Sequence, residues 1–161
     1  MASQVPLAAR MRSLGEAADL SRDRSSEEVV DAASAVVKRA GERIAISGDH
    51  TVVAIAGATG SGKSATFNAI TGTQLAKSGV TRPTTSDPMA CCWGSELPAA
   101  LLDWLDVPRR HLIPSADGPM TNLVLIDLPD HDSTEKTHRM TVDRMVPLVD
   151  MLVWVVDPQK Y

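Results

Sequence analysis

The sequence has no long apolar run and no leader-like N-terminus, and both absences exclude classes of protein. The longest apolar run is six residues, Met151 to Val156, whereas a membrane-spanning helix needs about 18 or more. We therefore expect no membrane-spanning helix in this chain. The N-terminal region carries Arg10 and Arg12 but lacks the apolar stretch of a signal peptide, so a cleaved leader is not expected.

Cysteine and positive charge are also scarce. The two cysteines, Cys91 and Cys92, are adjacent, so they cannot form a disulfide framework, and they suit a reducing, cytoplasmic setting. The 16 basic residues are outnumbered by 20 acidic ones, which gives a net charge of −4. This balance argues against a general nucleic-acid or membrane-surface binder, and we expect no direct DNA binding.

The 161 residues are enough for one domain of ordinary size, and their patterning divides into two regions. Residues 1–47 predict helices, one over 5–20 and another that opens at Ser25–Glu28, where a serine cap precedes acidic residues. Gly41 is a possible interruption of the second helix. Residues 48–161 predict a second region in which strands and helices alternate.

This second region has the pattern of an α/β domain with parallel strands. Short, continuous apolar runs predict buried strands, and amphipathic segments predict helices. Pro147 is expected to bend or end the last helix. The predicted strands are 51–57, 123–127 and 151–157; the predicted helices are 63–72, 97–107 and 133–149; residues 79–88 predict a loop, and Arg109–His111 a small basic turn.

Residues 57–64, read G-A-T-G-S-G-K-S, match the phosphate-binding pattern G-x-x-x-x-G-K-[ST] at every defined position. Glycines allow the backbone to turn its N–H groups toward anionic oxygens, and the following helix adds its positive N-terminal end. Lysine supplies a charge for the β- and γ-phosphates, and the serine hydroxyl is a suitable Mg²⁺ ligand. The predicted nucleotide-binding residues in this segment and directly after it are Gly57, Thr59, Gly60, Ser61, Gly62, Lys63, Ser64 and Ala65.

Three further segments resemble GTPases of the Era-like and dynamin-like class. Residues 67–72 (F-N-A-I-T-G) resemble the end of their first helix, residues 79–85 (G-V-T-R-P-T-T) their switch I loop, and residues 127–130 (D-L-P-D) their D-x-P-G motif. The run 51–161 is similar to an actinobacterial branch of this class. The resemblance implies a P-loop NTPase three-layer sandwich with a mostly parallel sheet, preceded here by a helical segment, with GTP and Mg²⁺ as ligands.

Site roles follow from the motif spacing and from the resemblance. Asp127, at the end of a predicted strand, suits a carboxylate that holds Mg²⁺ with Ser64. Switch I implies a threonine that closes over Mg²⁺ and the γ-phosphate; Thr85 is the first choice, with Thr84 and Thr81 as alternatives. Beside Thr85, two further residues are catalytic candidates: Arg82, for charge in the transition state, and His131, for orienting water.

Asp130 departs from the resemblance, because the family has glycine at this position. Its backbone N–H would still meet the γ-phosphate, so Asp130 is a predicted nucleotide-binding residue. Its carboxylate would bring negative charge close to other negative charges, and we expect the side chain to point away. The departure places hydrolysis in doubt more than binding.

The sequence thus predicts a Mg²⁺-dependent GTPase that hydrolyses GTP slowly and acts as a molecular switch. The alternatives are a nucleotide-binding module with little turnover and an ATP-specific P-loop NTPase, although no L-S-G-G-Q segment is present. The guanine-reading N/T-K-x-D segment is also missing. We therefore expect the chain to be part of a longer GTPase domain. An effector protein or self-association is the expected partnership, and membrane association is expected only through a C-terminal part outside this chain.

Overall fold

The computed structural model describes residues 6–76, 87–130 and 136–157. The chain divides into two compact units, and the boundary between them in the sequence lies between Asp49 and His50. The first unit contains two helices, α1 (Leu7–Leu20) and α2 (Glu27–Ser47). Each buries a small apolar residue, Ala18 or Val30, and helices of this kind are stabilised mainly by such packing.

Two features of the helical unit refine the predictions. Helix α2 runs through Gly41 without interruption, since a single glycine in a helix costs only about 1 kcal/mol relative to alanine. Ser26 occupies the N-cap position of α2 in an extended conformation, although its side chain makes no capping hydrogen bond. The glutamates at 27 and 28 lie in the first turn, where negative charge is favourable.

The second unit contains, in the described part of the chain, the strands β1 (Thr51–Gly57), β2 (Met89–Gly94), β3 (Arg109–Pro114), β4 (Leu123–Asp127) and β5 (Met151–Val155). They form one sheet with the strand order β3-β2-β4-β1-β5. Strand β1 pairs in parallel with both β4 and β5, β2 pairs in parallel with β3, and β2 pairs antiparallel with β4. The predicted α/β class with a mostly parallel sheet is therefore confirmed. The described helices of this unit are α3 (Lys63–Thr71), α4 (Ala99–Trp104), α5 (Lys136–Met145) and a 3₁₀ turn (Val146–Leu148).

The prediction of a basic turn at Arg109–His111 was wrong, because these residues begin strand β3. This strand forms an edge of the sheet in the described part of the chain, and its side chains are half-buried or exposed. An edge strand of this kind does not need the continuous apolar run of a buried strand. The predicted helix at 97–107 is also shorter, and Pro147 falls within the 3₁₀ turn that ends the predicted helix at 133–149.

The core lies against the central strands. Buried side chains of β1, α3 and β2, including Ile55, Phe67 and Met89, form one apolar cluster, and all three are fully buried. Trp154 on β5 is 45% exposed. Within the described residues, no helix is long and apolar enough to cross a membrane.

Candidate functional site

The predicted phosphate loop joins β1 to α3 and has a backbone that requires glycine. Gly57 has φ +149°, and a Cβ atom there would lie 2.3 Å from the carbonyl oxygen of Val155 on the neighbouring strand. Gly62 has φ +97° and caps the N-terminus of α3 in the left-handed conformation. The loop can therefore turn tightly only because these positions have no side chain.

The helix that follows the loop presents its N-terminal end at the same place. The first N–H groups of an α-helix have no acceptor within the helix, and together with the helix dipole they favour an anion. Ala65, in the first turn of α3, is exposed, and Thr59 in the loop is half-buried. The Ser61 hydroxyl is buried and has no hydrogen-bond partner among the described residues. Loop and helix end thus form a polar cradle of the kind that binds phosphate.

Lys63, the first residue of α3, is 5% exposed, and its ammonium group lies within the loop. Its Nζ donates a hydrogen bond to the carbonyl oxygen of Ala58 at 2.9 Å. The same atom lies 2.5 Å from Oδ1 of Asp130. A buried ammonium must be paired, and here the backbone and one carboxylate supply that pairing.

Ser64 and Asp127 meet where the carboxyl ends of two parallel strands lie side by side. Asp127 ends β4 and pairs in register with Ile55 of β1, and the Ser64 hydroxyl donates to its Oδ2 at 3.2 Å. Asp127 is fully buried, and its Oδ1 has no hydrogen-bond partner among the described residues. Burial raises the pKa of Asp127 from 3.8 to about 6, against the smaller lowering effects of the Ser64 hydroxyl and the Lys63 charge.

The Ser64 hydroxyl and the Asp127 carboxylate fit a Mg²⁺ ion. Magnesium takes hard oxygen ligands and is usually held by one or two protein groups together with phosphate and water. One hydroxyl, one carboxylate and an unpaired buried carboxylate oxygen supply that donor set. Among the residues that the structure describes, no three His, Cys, Asp or Glu side chains cluster as a metal site, and a magnesium site of this type needs no such cluster.

The expectation that the Asp130 side chain points away from the site does not match the geometry. Its carboxylate pairs with Lys63 and is 23% exposed. The physical reason is that the Lys63 ammonium lies within hydrogen-bond distance of the carboxylate, and the attraction between the opposite charges favours this orientation. The remaining predicted residues, Thr85 with its alternatives Thr81 and Thr84, Arg82 and His131, lie outside the described residues.

Comparison with known families decides the class of protein. Residues 52–161 match the family model described as 50S ribosome-binding GTPase, which is well over half of the chain. The chain belongs to this GTPase family. No curated protein matches the sequence.

Among solved structures, this GTPase domain is similar to two chains of an oligomerised bacterial dynamin pair, described as a mechanism for the long-range sensing and tethering of membranes. The first has 16% identity and a TM-score of 0.47, and the match covers 94% of this chain and 26% of that one. The second has 13% identity and a TM-score of 0.42, with coverage of 92% and 27%. The chain thus spans about a quarter of the length of these structures, and similarities at this level carry no information on ligands or partners.

Two residues of the GTPase domain were missed by the sequence reasoning. Asn68 was noted only as part of a motif, yet its buried side chain accepts from the N–H of Ala76 at 2.9 Å and donates to its carbonyl at 2.8 Å. It therefore fixes the chain that leaves α3. Arg109 was placed in a turn, but on β3 its positive charge contributes to lowering the pKa of Asp127, as the smallest of several effects. The N-A-x-x-G spacing could have indicated Asn68. No local signal in the sequence indicates Arg109.

Proposed function

We propose that this GTPase domain binds GTP with Mg²⁺, hydrolyses it slowly and acts as a molecular switch. The observation that carries the proposal is the meeting of the Lys63 ammonium, the Ser64 hydroxyl and the buried Asp127 carboxylate at the loop between β1 and α3. The preference for GTP rests on family membership, because no residue of this chain has been assigned to reading guanine.

The proposed roles follow from chemistry. The loop amides and Lys63 hold the phosphates, since preorganised N–H donors and a buried cation stabilise negative charge that develops on phosphate oxygens. Ser64 and Asp127 would hold Mg²⁺, which would supply positive charge that neutralises the phosphates. Asp130 contributes its backbone N–H, and Thr85, Arg82 and His131 remain the candidates for completing the metal shell, stabilising charge and orienting water.

A second candidate function is nucleotide binding with little turnover. It is favoured by the Asp130 carboxylate, which pairs with Lys63. The resembled class has a glycine, and hence no side chain, at position 130. An additional negative charge next to the lysine opposes the build-up of negative charge on a transferring phosphate. Partnership with an effector or with a second copy of the chain, and peripheral attachment to a membrane, remain predictions from the resemblance.

The test is to titrate GTP, GDP and ATP by calorimetry, with Mg²⁺ and with EDTA, and to measure phosphate release in parallel. Lys63→Ala is the test variant and Lys38→Ala, an exposed lysine of α2, the matched control. We expect EDTA to weaken binding, and Lys63→Ala to lose about 10- to 100-fold in affinity, as for a charge-assisted hydrogen bond. A preference for GTP over ATP is expected in a chain that also carries the guanine-reading segment. Lys38→Ala should bind as the wild type does.

Each outcome decides between the candidates. Binding with phosphate release supports the GTPase, and binding without release supports the module with little turnover. Tighter binding of ATP supports the ATP-specific alternative. If no nucleotide binds, or if Lys63→Ala binds as well as Lys38→Ala, the proposed phosphate site is refuted.

A further inference from the structure

The Lys63–Asp130 pair has a geometry that bears on which phosphate chain the site accepts. An ammonium group has three N–H donors. Among the described residues, one donor of Lys63 is used by the Ala58 carbonyl and one by the Asp130 carboxylate. This leaves one donor for a phosphate oxygen.

The two partners differ in how far they are buried. The Lys63 side chain is 5% exposed, whereas that of Asp130 is 23% exposed. Lys63 belongs to helix α3, while Asp130 follows β4 outside any helix or strand. Asp130 is therefore the partner that can turn away into solvent when another anion approaches the lysine.

The carboxylate lies at hydrogen-bond distance from the ammonium that the phosphate-loop pattern assigns to the β- and γ-phosphates. A carboxylate oxygen and a terminal phosphate oxygen are both anionic acceptors, and both compete for the same donor. The negative charge of Asp130 also reaches the proposed metal residue, because it contributes to raising the pKa of Asp127. The carboxylate thus acts on the same small region as a terminal phosphate would.

We propose that Asp130 is a specificity-determining residue whose carboxylate takes the position of a terminal phosphate oxygen at Lys63, so that the site prefers a diphosphate to a triphosphate. A diphosphate uses the remaining donor of Lys63 and leaves the ion pair intact. A triphosphate must displace the carboxylate and then lie close to its charge. The inference rests on the phosphate site of the proposed function, but it does not depend on which base is read or on turnover.

The experiment measures the affinity of the chain for GDP and for a non-hydrolysable GTP analogue with Mg²⁺, and for pyrophosphate and tripolyphosphate, which carry no base. The variants are Asp130→Asn and Asp130→Gly, which both remove the charge. The control is Asp117→Asn, an exposed aspartate in the segment before β4, whereas Asp130 follows the opposite end of that strand. Circular dichroism establishes that each variant is folded.

We expect both Asp130 variants to bind the triphosphate probes about tenfold or more tightly than the wild type, the size of one charge-assisted hydrogen bond. The affinity for the diphosphate probes should change much less, and Asp117→Asn should change neither. Equal changes for both probe classes, weaker triphosphate binding, or the same effect in Asp117→Asn would overturn the inference. If Asp130→Asn does not fold, Asp130→Gly decides by the same criterion.

The result separates this inference from the proposed function. If the base-free probes respond as expected but GTP and GDP do not bind, guanine-nucleotide binding fails and the role of Asp130 stands. If GTP and GDP bind but charge removal leaves the triphosphate-to-diphosphate ratio unchanged, the role of Asp130 fails alone. If none of the four probes binds to any form, both fail.

Discussion

Replacing Gly57 by alanine tests a close approach between strands β1 and β5 of the GTPase domain. The alanine Cβ would lie 2.3 Å from the Val155 carbonyl oxygen and 2.9 Å from the Ser61 hydroxyl oxygen. An ordinary carbon–oxygen contact is about 3.3 Å or longer, so β5 or the loop would have to move by about 1 Å. The backbone oxygen cannot rotate away as a flexible side chain can, and the pairing of β1 with β5 has to adjust instead.

Two costs combine in this variant. A residue other than glycine in such a backbone region costs about 1–3 kcal/mol, and forcing an extra carbon into a packed contact costs about 1–3 kcal/mol. We therefore expect Gly57→Ala to lower the free energy of unfolding by about 2–6 kcal/mol, a large part of the about 5–15 kcal/mol that a domain usually has. The phosphate loop begins at this residue, so nucleotide binding should weaken as well.

Urea unfolding followed by tryptophan fluorescence measures the effect, because all three tryptophans, at positions 93, 104 and 154, belong to the second unit. The control is Gly118→Ala, where the nearest atom to the new Cβ, the Ser115 hydroxyl oxygen, is 3.9 Å away. This control should change stability by less than about 0.5 kcal/mol. If Gly57→Ala is within about 1 kcal/mol of the wild type, β5 is not held against β1 as the structure places it, and the reasoning fails.

Three further predictions concern buried groups. Burial raises the pKa of Asp127 from 3.8 to about 6, so the native state loses stability as pH rises through this range. In urea unfolding, Asp127→Asn should be more stable than the wild type by about 3 kcal/mol at pH 7.5 and by little near pH 4. An equal difference at both pH values would contradict this prediction. Burial also raises the pKa of the Cys91 thiol to about 11 and that of the Cys92 thiol to about 12. A disulfide reagent should therefore modify neither thiol in the native protein and both after unfolding. Rapid modification of the native protein would show that the β2 thiols are accessible. Asn68→Ala should lower the free energy of unfolding by about 2–4 kcal/mol, because it leaves the backbone N–H and C=O of Ala76 without their partner. A thermal midpoint equal to that of the wild type would contradict this role of Asn68.

Much of the fold was predictable because its central elements carry strong local signals. The strands β1, β4 and β5 are short apolar runs, and each was predicted at almost its observed position. Strand β3 was missed, because its first residues were predicted as a turn. The charged residues that begin β3 have no strand pattern, because this strand is not buried on both faces, and its position is defined by pairing with β2.

The candidate site also has a part that the sequence predicts and a part that depends on the fold. The phosphate loop was predictable because the requirement for glycine and the order of lysine and serine are local properties of eight consecutive residues. The pairing of Ser64 with Asp127 joins residues 63 positions apart, and the sequence indicated it only through the strand-end position of the aspartate. Its distance, its burial and the shifted pKa depend on the parallel pairing of β1 with β4.

By itself, the sequence determined the class of protein, the phosphate loop and the central strands, because glycine conformation, apolar runs and motif spacing act over a few neighbouring residues. Only the tertiary structure decided the direction of the Asp130 side chain, the burial of Asp127 and the contact of Gly57 with Val155. Each of these depends on residues that are distant in the chain and are brought within hydrogen-bond or van der Waals distance only when the sheet forms. The Asp130 carboxylate, expected to point away because of nearby negative charge, lies instead at Lys63, because a buried ammonium attracts a carboxylate within its reach.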